Sequence, residues 1–180
     1  MTVDIAFLSR TDADDVVLVR ELIDLVNEVY ADAEKGLWVD GATRISATEM
    51  TAAIRAGEIV AARRGTRIVG LVQVRRLPTG EGEFGMLVAA PDQRGAGVGR
   101  RLVAYAEDWA RSQGCGTMQL ELLVPHSWTH PFKEFLLGWY TRAGYRQIRS
   151  ENFATAYPRL ARDLATECDF LVYHKALSGT

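Results

Sequence analysis

Pro91-Asp92-Gln93-Arg94-Gly95-Ala96-Gly97-Val98-Gly99-Arg100-Arg101 decides how this chain is read. It follows a strand-like run, Glu83-Phe84-Gly85-Met86-Leu87-Val88-Ala89, and opens a helix whose apolar residues recur at helical spacing. Glycines at 95, 97 and 99 let the backbone turn sharply and approach a ligand closely. The first amides of a helix have no internal partner. With the positive end of the helix dipole behind them they form an anion site suited to phosphate. Arg94, Arg100 and Arg101 add positive charge beside it. A plain strand-to-helix connection needs one glycine rather than three among arginines.

Two familiar glycine loops are excluded. A Walker loop requires Gly-Lys-Ser/Thr at its end, and here Gly99 is followed by Arg100 and Arg101. A dinucleotide fingerprint requires a third glycine at the position of Arg100. What remains is Arg94-x-x-Gly97-x-Gly99. About forty residues later stands Trp139-Tyr140-Thr141-Arg142-Ala143-Gly144-Tyr145.

These two elements, in this order, resemble the GNAT superfamily of acetyl-CoA-dependent N-acetyltransferases, with Gln/Arg-x-x-Gly-x-Gly/Ala and aromatic-Tyr-x-x-x-Gly-aromatic as its marks. The resemblance implies an α/β (α+β) fold over a single domain, residues 1–180. A mixed, mostly antiparallel sheet of six to seven strands would be flanked by helices and splayed at the acetyl-CoA site. It implies acetyl-CoA as cosubstrate, without a metal. Leu87, Val88 and Ala89 would pair through their backbone with the pantetheine arm. Arg94, Gly95, Ala96, Gly97, Val98, Gly99 and Arg100 would hold the pyrophosphate. Tyr140 would donate to the departing thiolate, and Glu83 falls where many members place a carboxylate base. Two departures stand out. Lys133 occupies the position of a cofactor-contacting Asn, and the loop Pro125 to Pro131 is longer than usual.

The residues themselves leave the base open. Glu83, Glu121 on the next strand, and His126 or His130 in the following loop are all candidates. Histidine has the best ordinary pKa for the task. His126 and His130 are four apart, but Pro131 follows and no third ligand stands near, so a metal pair is not expected. A phenol with pKa about 10 is protonated at neutral pH and can donate, which suits Tyr140. Cys115 follows Gly114 at a helix end, where the dipole opposes a thiolate. It reads as a small core residue.

At 180 residues the chain suits one domain with a sizeable core. A net charge of −2 exerts no general pull on nucleic acid or anionic membrane. No apolar run reaches the ~20 residues of a membrane span. Two cysteines make no disulfide framework, and the start of the chain shows no secretory signal, so a reducing cytoplasm is expected. The acceptor is expected to be a small-molecule amine, a peptide N-terminus or a lysine. It would bind among Tyr30, Trp38, Glu83, Glu121 and the 126–130 loop. An exposed sheet edge is compatible with a homodimer.

Strands are expected over Val3 to Ser9, Ile59 to Ala62, Ile68 to Arg76, Glu83 to Ala89, Met118 to Val124, Tyr145 to Arg149 and Asp169 to Lys175. A helix capped by Asp12 would carry Val16, Val19, Leu22, Ile23, Val26 and Tyr30 inward and end near Lys35-Gly36. Ser46 or Thr48 would start a short helix that Gly57 stops. The glycine-loop helix would turn Glu107 outward and end at Gly114. A helix follows over Phe132 to Arg142, and another is expected over Pro158 to Thr166.

Overall fold

The computed structural model describes residues 2–177. Seven strands form one sheet: β1 (Asp4–Phe7), β2 (Ile59–Arg64), β3 (Arg67–Arg76), β4 (Gly82–Ala89), β5 (Thr117–Pro125), β6 (Arg146–Asn152) and β7 (Cys168–Ala176). Their order is β1-β2-β3-β4-β5-β7-β6. Every neighbouring pair is antiparallel except β4–β5, which is parallel. The helices are α1 (Val16–Ala33), α2 (Ala47–Ala56), α3 (Val98–Ser112), α4 (Pro131–Arg142) and the single turn α5 (Phe153–Ala156). None is long and apolar enough to cross a membrane among the described residues.

The sheet has a core on each face. Val98, Leu102 and Ala106 of α3 pack with Tyr140 of α4 against Phe84, Met118 and Leu120. On the other face Leu22 and Val26 of α1 and Met50 and Ile54 of α2 pack against Ile59, Leu71, Met86 and Val88. A third cluster joins Leu37 to Phe153, Phe170 and Val172, fastening the segment after α1 to the end of β7.

One irregularity shapes the centre. Between the pairs Gln73–Gly85 and Leu71–Val88, β3 contributes Val72 while β4 contributes Met86 and Leu87. This two-against-one count is a β-bulge, which bends the strand and re-aims its side chains. Met86 carries it with φ +51, the one left-handed non-glycine backbone among the described residues. Phe84 and Met86 share parity, yet the first lies in one core and the second in the other. Beyond the bulge Leu87 and Ala89 face α3 and α4.

The structure alters several local expectations. Ser9, not Asp12, caps the first turn, a 3-10 segment over Arg10–Asp14, and Asp12 completes the capping box. The long helix begins later, where Asp15 accepts from the amides of Val17 and Leu18. Val16, expected inside, therefore sits in an unburied first turn at 80% exposure. Ser46 caps α2 and Gly57 stops it, as its sequence indicates. Pro158 to Thr166 forms only a 3-10 turn, Leu160–Asp163. Tyr145 lies outside the sixth strand, which runs on to Asn152. Glu107, expected outside, is buried, where it accepts from the Tyr145 hydroxyl at 2.8 Å and pairs with Lys175 Nζ at 2.8 Å.

Candidate functional site

The parallel ladder between β4 and β5 has only two register pairs, Gly82–Met118 and Glu83–Gln119. From Phe84 onward the two strands part, so the bulged half of β4 has no strand beside it on that side. The unpaired stretch includes Leu87, Val88 and Ala89. Exposed main-chain donors and acceptors of this kind suit an extended chain carrying amides.

At the open end β4 runs into the glycine loop. Pro91–Gln93 makes a 3-10 turn, and Gly95 and Gly97 follow with φ +79 and +77. A side chain at either position would be strained, which explains glycine at both. The first intrahelical bond of α3 is Arg101 N–H to Gly97 O at 3.1 Å. The amides of Val98, Gly99 and Arg100 precede it and have no carbonyl of the helix to bind. Ala96 differs from the expectation, because its amide already donates to Gln93 O at 3.0 Å. A Cβ placed on Gly95, Gly97 or Gly99 meets no atom within 4 Å, so the space above the loop is open. The loop therefore fits a phosphate group. Arg94 pairs with Asp32 at 3.0 Å, both well exposed, an association weak enough to yield to a ligand. Arg101 is turned away and donates to Val3 O at 2.7 Å.

Tyr140 lies in the apolar cluster around the splay, with ring centroids 6.0 Å from Phe84 and 4.9 Å from Trp139. Its pKa is raised well above the usual phenol range, first by burial and then by the nearby Tyr30. The phenol is thus protonated at neutral pH. Tyr30 comes from α1, with Arg44 set 5.1 Å over its ring. Burial raises its pKa and Arg44 opposes the rise.

Glu83 stands at the closed end of the splay and is 7% exposed. Arg75 Nε donates to its Oε1 at 2.8 Å, and Gln119 Nε2 donates to its Oε2 at 3.0 Å. Gln119 Oε1 in turn contacts His174 Nε2 at 2.8 Å. Glu121, two residues along β5 and on the same face, is exposed, and the Tyr157 hydroxyl donates to its Oε2 at 3.3 Å. Its pKa is raised, chiefly because protein around it displaces water and then because of the Glu83 charge.

The loop histidines are drawn elsewhere. His126 Nδ1 meets Asp169 at 2.7 Å, and His130 is buried with Nε2 on Lys35 O at 3.1 Å. Lys133, at the departure from the family pattern, makes a buried ion pair with Glu34 at 2.6 Å. Glu34 also accepts from Trp38 Nε1 at 2.6 Å. Trp38 therefore belongs to the packing that joins α1 to α4, edge-on to Phe153. Cys115 and Cys168 are free and buried, and burial pushes the Cys168 thiol up to about 11. Cys168 therefore presents no ready thiolate. Gln119, His174, Arg75 and Tyr157 were not singled out by sequence. The alternation of Gln119 with Glu121 along β5 could have pointed to Gln119 alone, since the other three lie on separate segments.

Among curated proteins no sequence matches the chain. Among solved structures, an aminoglycoside 6′-N-acetyltransferase complexed with coenzyme A is similar, with 19% identity, 98% of each chain covered and a TM-score of 0.72. So is the ribosomal-protein-S18-alanine N-acetyltransferase from Escherichia coli, with 14% identity, 99% of this chain and 96% of that one covered, and a TM-score of 0.66. N-acetylglutamate synthase from Neisseria gonorrhoeae, complexed with coenzyme A and N-acetyl-glutamate, shares 16% identity and a TM-score of 0.67, with 99% of this chain matching 36% of that one. At such identities the likeness establishes the fold, including the mixed, splayed sheet. The model of the acetyltransferase (GNAT) family matches residues 22–145, more than half of the chain, and the chain therefore belongs to that family.

Proposed function

We propose that the chain is one N-acetyltransferase domain that moves an acetyl group from acetyl-CoA to a primary amine, with both substrates bound together. The observation that carries this reading is the break in the β4–β5 ladder after Glu83–Gln119, continuous with a glycine loop of unpaired amides. A long arm with amides at one end and a pyrophosphate at the other matches both parts. Leu87, Val88 and Ala89 bind the arm through their backbone. Gly95, Gly97, Val98, Gly99 and Arg100 hold the pyrophosphate, with Arg94 released from Asp32 to add charge. The thioester supplies an activated acyl group.

Tyr140 holds a proton at Oη near the splay and donates it toward the departing sulfur. Its raised pKa makes it a reluctant acid, so its contribution is mainly a hydrogen bond to the developing charge. Glu83 gives the amine end a fixed negative charge. Supporting direct transfer, both cysteines are buried, and burial also raises the Cys168 thiol. Their free state also accords with a reducing cytoplasm. The acidic pair Glu83 and Glu121 favours a cationic amine, whether on a small molecule or at a peptide end or lysine.

The test is release of CoA from acetyl-CoA with spermidine, kanamycin and an alanine-terminated peptide as acceptors. Amine-dependent release with a matching acetylated product supports the reading. Tight acetyl-CoA binding with no release to any amine would mark a non-catalytic acyl-CoA sensor instead. Faster release from a longer acyl-CoA would reassign the donor.

A further inference from the structure

We propose that the acceptor is a monoamine with an aromatic or similarly apolar body, its ammonium beside Glu121 and Glu83 and its body against the ring of Tyr157. This rests on the acyl-transfer reading above and names the class of amine within it. The wall comes from the segment after β6. Tyr157 follows the single turn α5, and its hydroxyl donates to Glu121 Oε2 at 3.3 Å. The polar tip of the ring is thus tied to the carboxylate, which places the ring's apolar body next to the amine end of the site.

Two buried rings hold Tyr157 in place. Its centroid is 5.2 Å from Phe153 and 5.6 Å from Phe170, and Phe153 in turn meets Trp38 edge-on at 5.8 Å. Tyr157 itself is 39% exposed, and Leu160, three residues on, is 52% exposed. Single exposed apolar residues are ordinary on a protein surface. Tyr157 differs, because it is hydrogen-bonded to a carboxylate of the site and its ring is braced before any ligand arrives. A braced ring loses little freedom when a ligand packs on it. Glu121 and Leu123 alternate onto one face of β5, and Leu123 packs against the cluster of Phe153 and Phe170. Apolar surface therefore continues along the strand from the carboxylate.

The charge around that ring matches one ammonium. The ionised groups acting on the Tyr157 hydroxyl are Glu121, Glu83 and Arg75, two negative and one positive. Arg75 pairs with Glu83 at 2.6 Å. Arg149, the other cation that acts on Glu121, pairs with Glu151 at 2.6 Å. A single ammonium completes the set. A second one within reach would meet Arg75 or Arg149, or lie against the Tyr157 ring without a counter-charge, which is costly. A peptide main chain is also poorly served there. The hydroxyl is the ring's one donor and is committed to Glu121, so peptide carbonyls over the ring find no partner on it.

CoA release from acetyl-CoA is compared for 2-phenylethylamine, spermidine, kanamycin and an alanine-terminated peptide. For the wild type, kcat/KM with 2-phenylethylamine should exceed that with each of the others by about tenfold or more, the discrimination an apolar contact provides. This ranking needs no variant and decides the class by itself. Tyr157→Ala should raise the 2-phenylethylamine KM by about tenfold, leave the acetyl-CoA KM unchanged and narrow the margin over spermidine. Tyr157→Phe, which keeps the ring, should keep the margin even where its rates fall. Equal or faster acetylation of spermidine, kanamycin or the peptide by the wild type would overturn the assignment while leaving acetyl transfer intact. So would an unchanged margin in a folded Tyr157→Ala. Release of CoA with none of the four amines would overturn the transferase reading and this assignment with it.

Discussion

Gly99→Ala separates the glycine loop's role in the fold from its role in binding. Gly99 lies in the first turn of α3 and, unlike Gly95 and Gly97, does not have a positive φ. A Cβ there meets no protein atom within 4 Å. Nothing in the free protein opposes the substitution, and glycine is about 0.8–1.0 kcal/mol worse than alanine inside a helix. The free variant should therefore gain up to about 1 kcal/mol, a Tm rise of roughly 2–4 °C for a chain of this size. The liganded protein should respond in the opposite direction. Acetyl-CoA at a hundredfold excess over its Kd stabilises the wild type by about 2.7 kcal/mol. If the new methyl takes space used by the pyrophosphate and weakens binding about thirtyfold, that gain falls to about 0.9 kcal/mol. Thermal shifts of both proteins, with and without acetyl-CoA at one concentration, read both effects. An alanine variant with the wild-type acetyl-CoA shift would refute a close approach at Gly99. An equal shift with ATP would refute the choice of cosubstrate.

Other expectations follow from single contacts. Tyr140→Phe should leave Tm and acetyl-CoA affinity nearly unchanged, because the ring contacts with Phe84 and Trp139 are kept. Its kcat should fall toward the low end of the roughly 10²–10⁴-fold range of a positioned acid. Lys133→Ala should destabilise the protein by about 3–5 kcal/mol in urea unfolding, since it strands the buried Glu34 carboxylate. Combining Lys133→Met with Glu34→Gln should recover much of that loss, because an amide oxygen still accepts from Trp38 Nε1. Asp169 raises the pKa of His126, so their link contributes below the ordinary histidine pKa of about 6.5 and is lost as pH rises through the raised value. Amide exchange across Ser127 to His130, corrected for intrinsic rates, should accelerate through that window in the wild type and not in His126→Ala.

The conformation of the glycine loop was legible because its signal is local. Arg94, Gly97 and Gly99 lie within six residues, and the positive φ of Gly95 and Gly97 is a property that glycine itself advertises. The bulge was hidden, since its left-handed residue is Met86 and its glycine neighbour is not left-handed. Alternation read straight through Glu83 to Ala89 puts Phe84 and Met86 on one face, and the structure puts them on opposite faces. Glu107 read as a surface charge and Lys133 only as a departure from the family pattern, because their partners are distant in the chain. Glu107 meets Lys175 across 68 residues, and Lys133 meets Glu34 across 99. The same distance hid the surroundings of the two carboxylates. Glu83 and Glu121 were visible as candidates, but what distinguishes them comes from Arg75, Gln119, His174 and Tyr157 on four different segments.

Residue-resolved hydrogen exchange with acetyl-CoA and with ATP tests the central claim most directly, that β4 and the glycine loop form one continuous slot for a CoA thioester. Acetyl-CoA should slow exchange both at the β4 amides of Leu87 to Ala89 that face β5 and at Gly95 and Gly97 to Arg100, while ATP should not protect the β4 amides. Protection confined to the loop and equal for the two ligands would contradict the account, leaving a phosphate site without a place for the acyl arm.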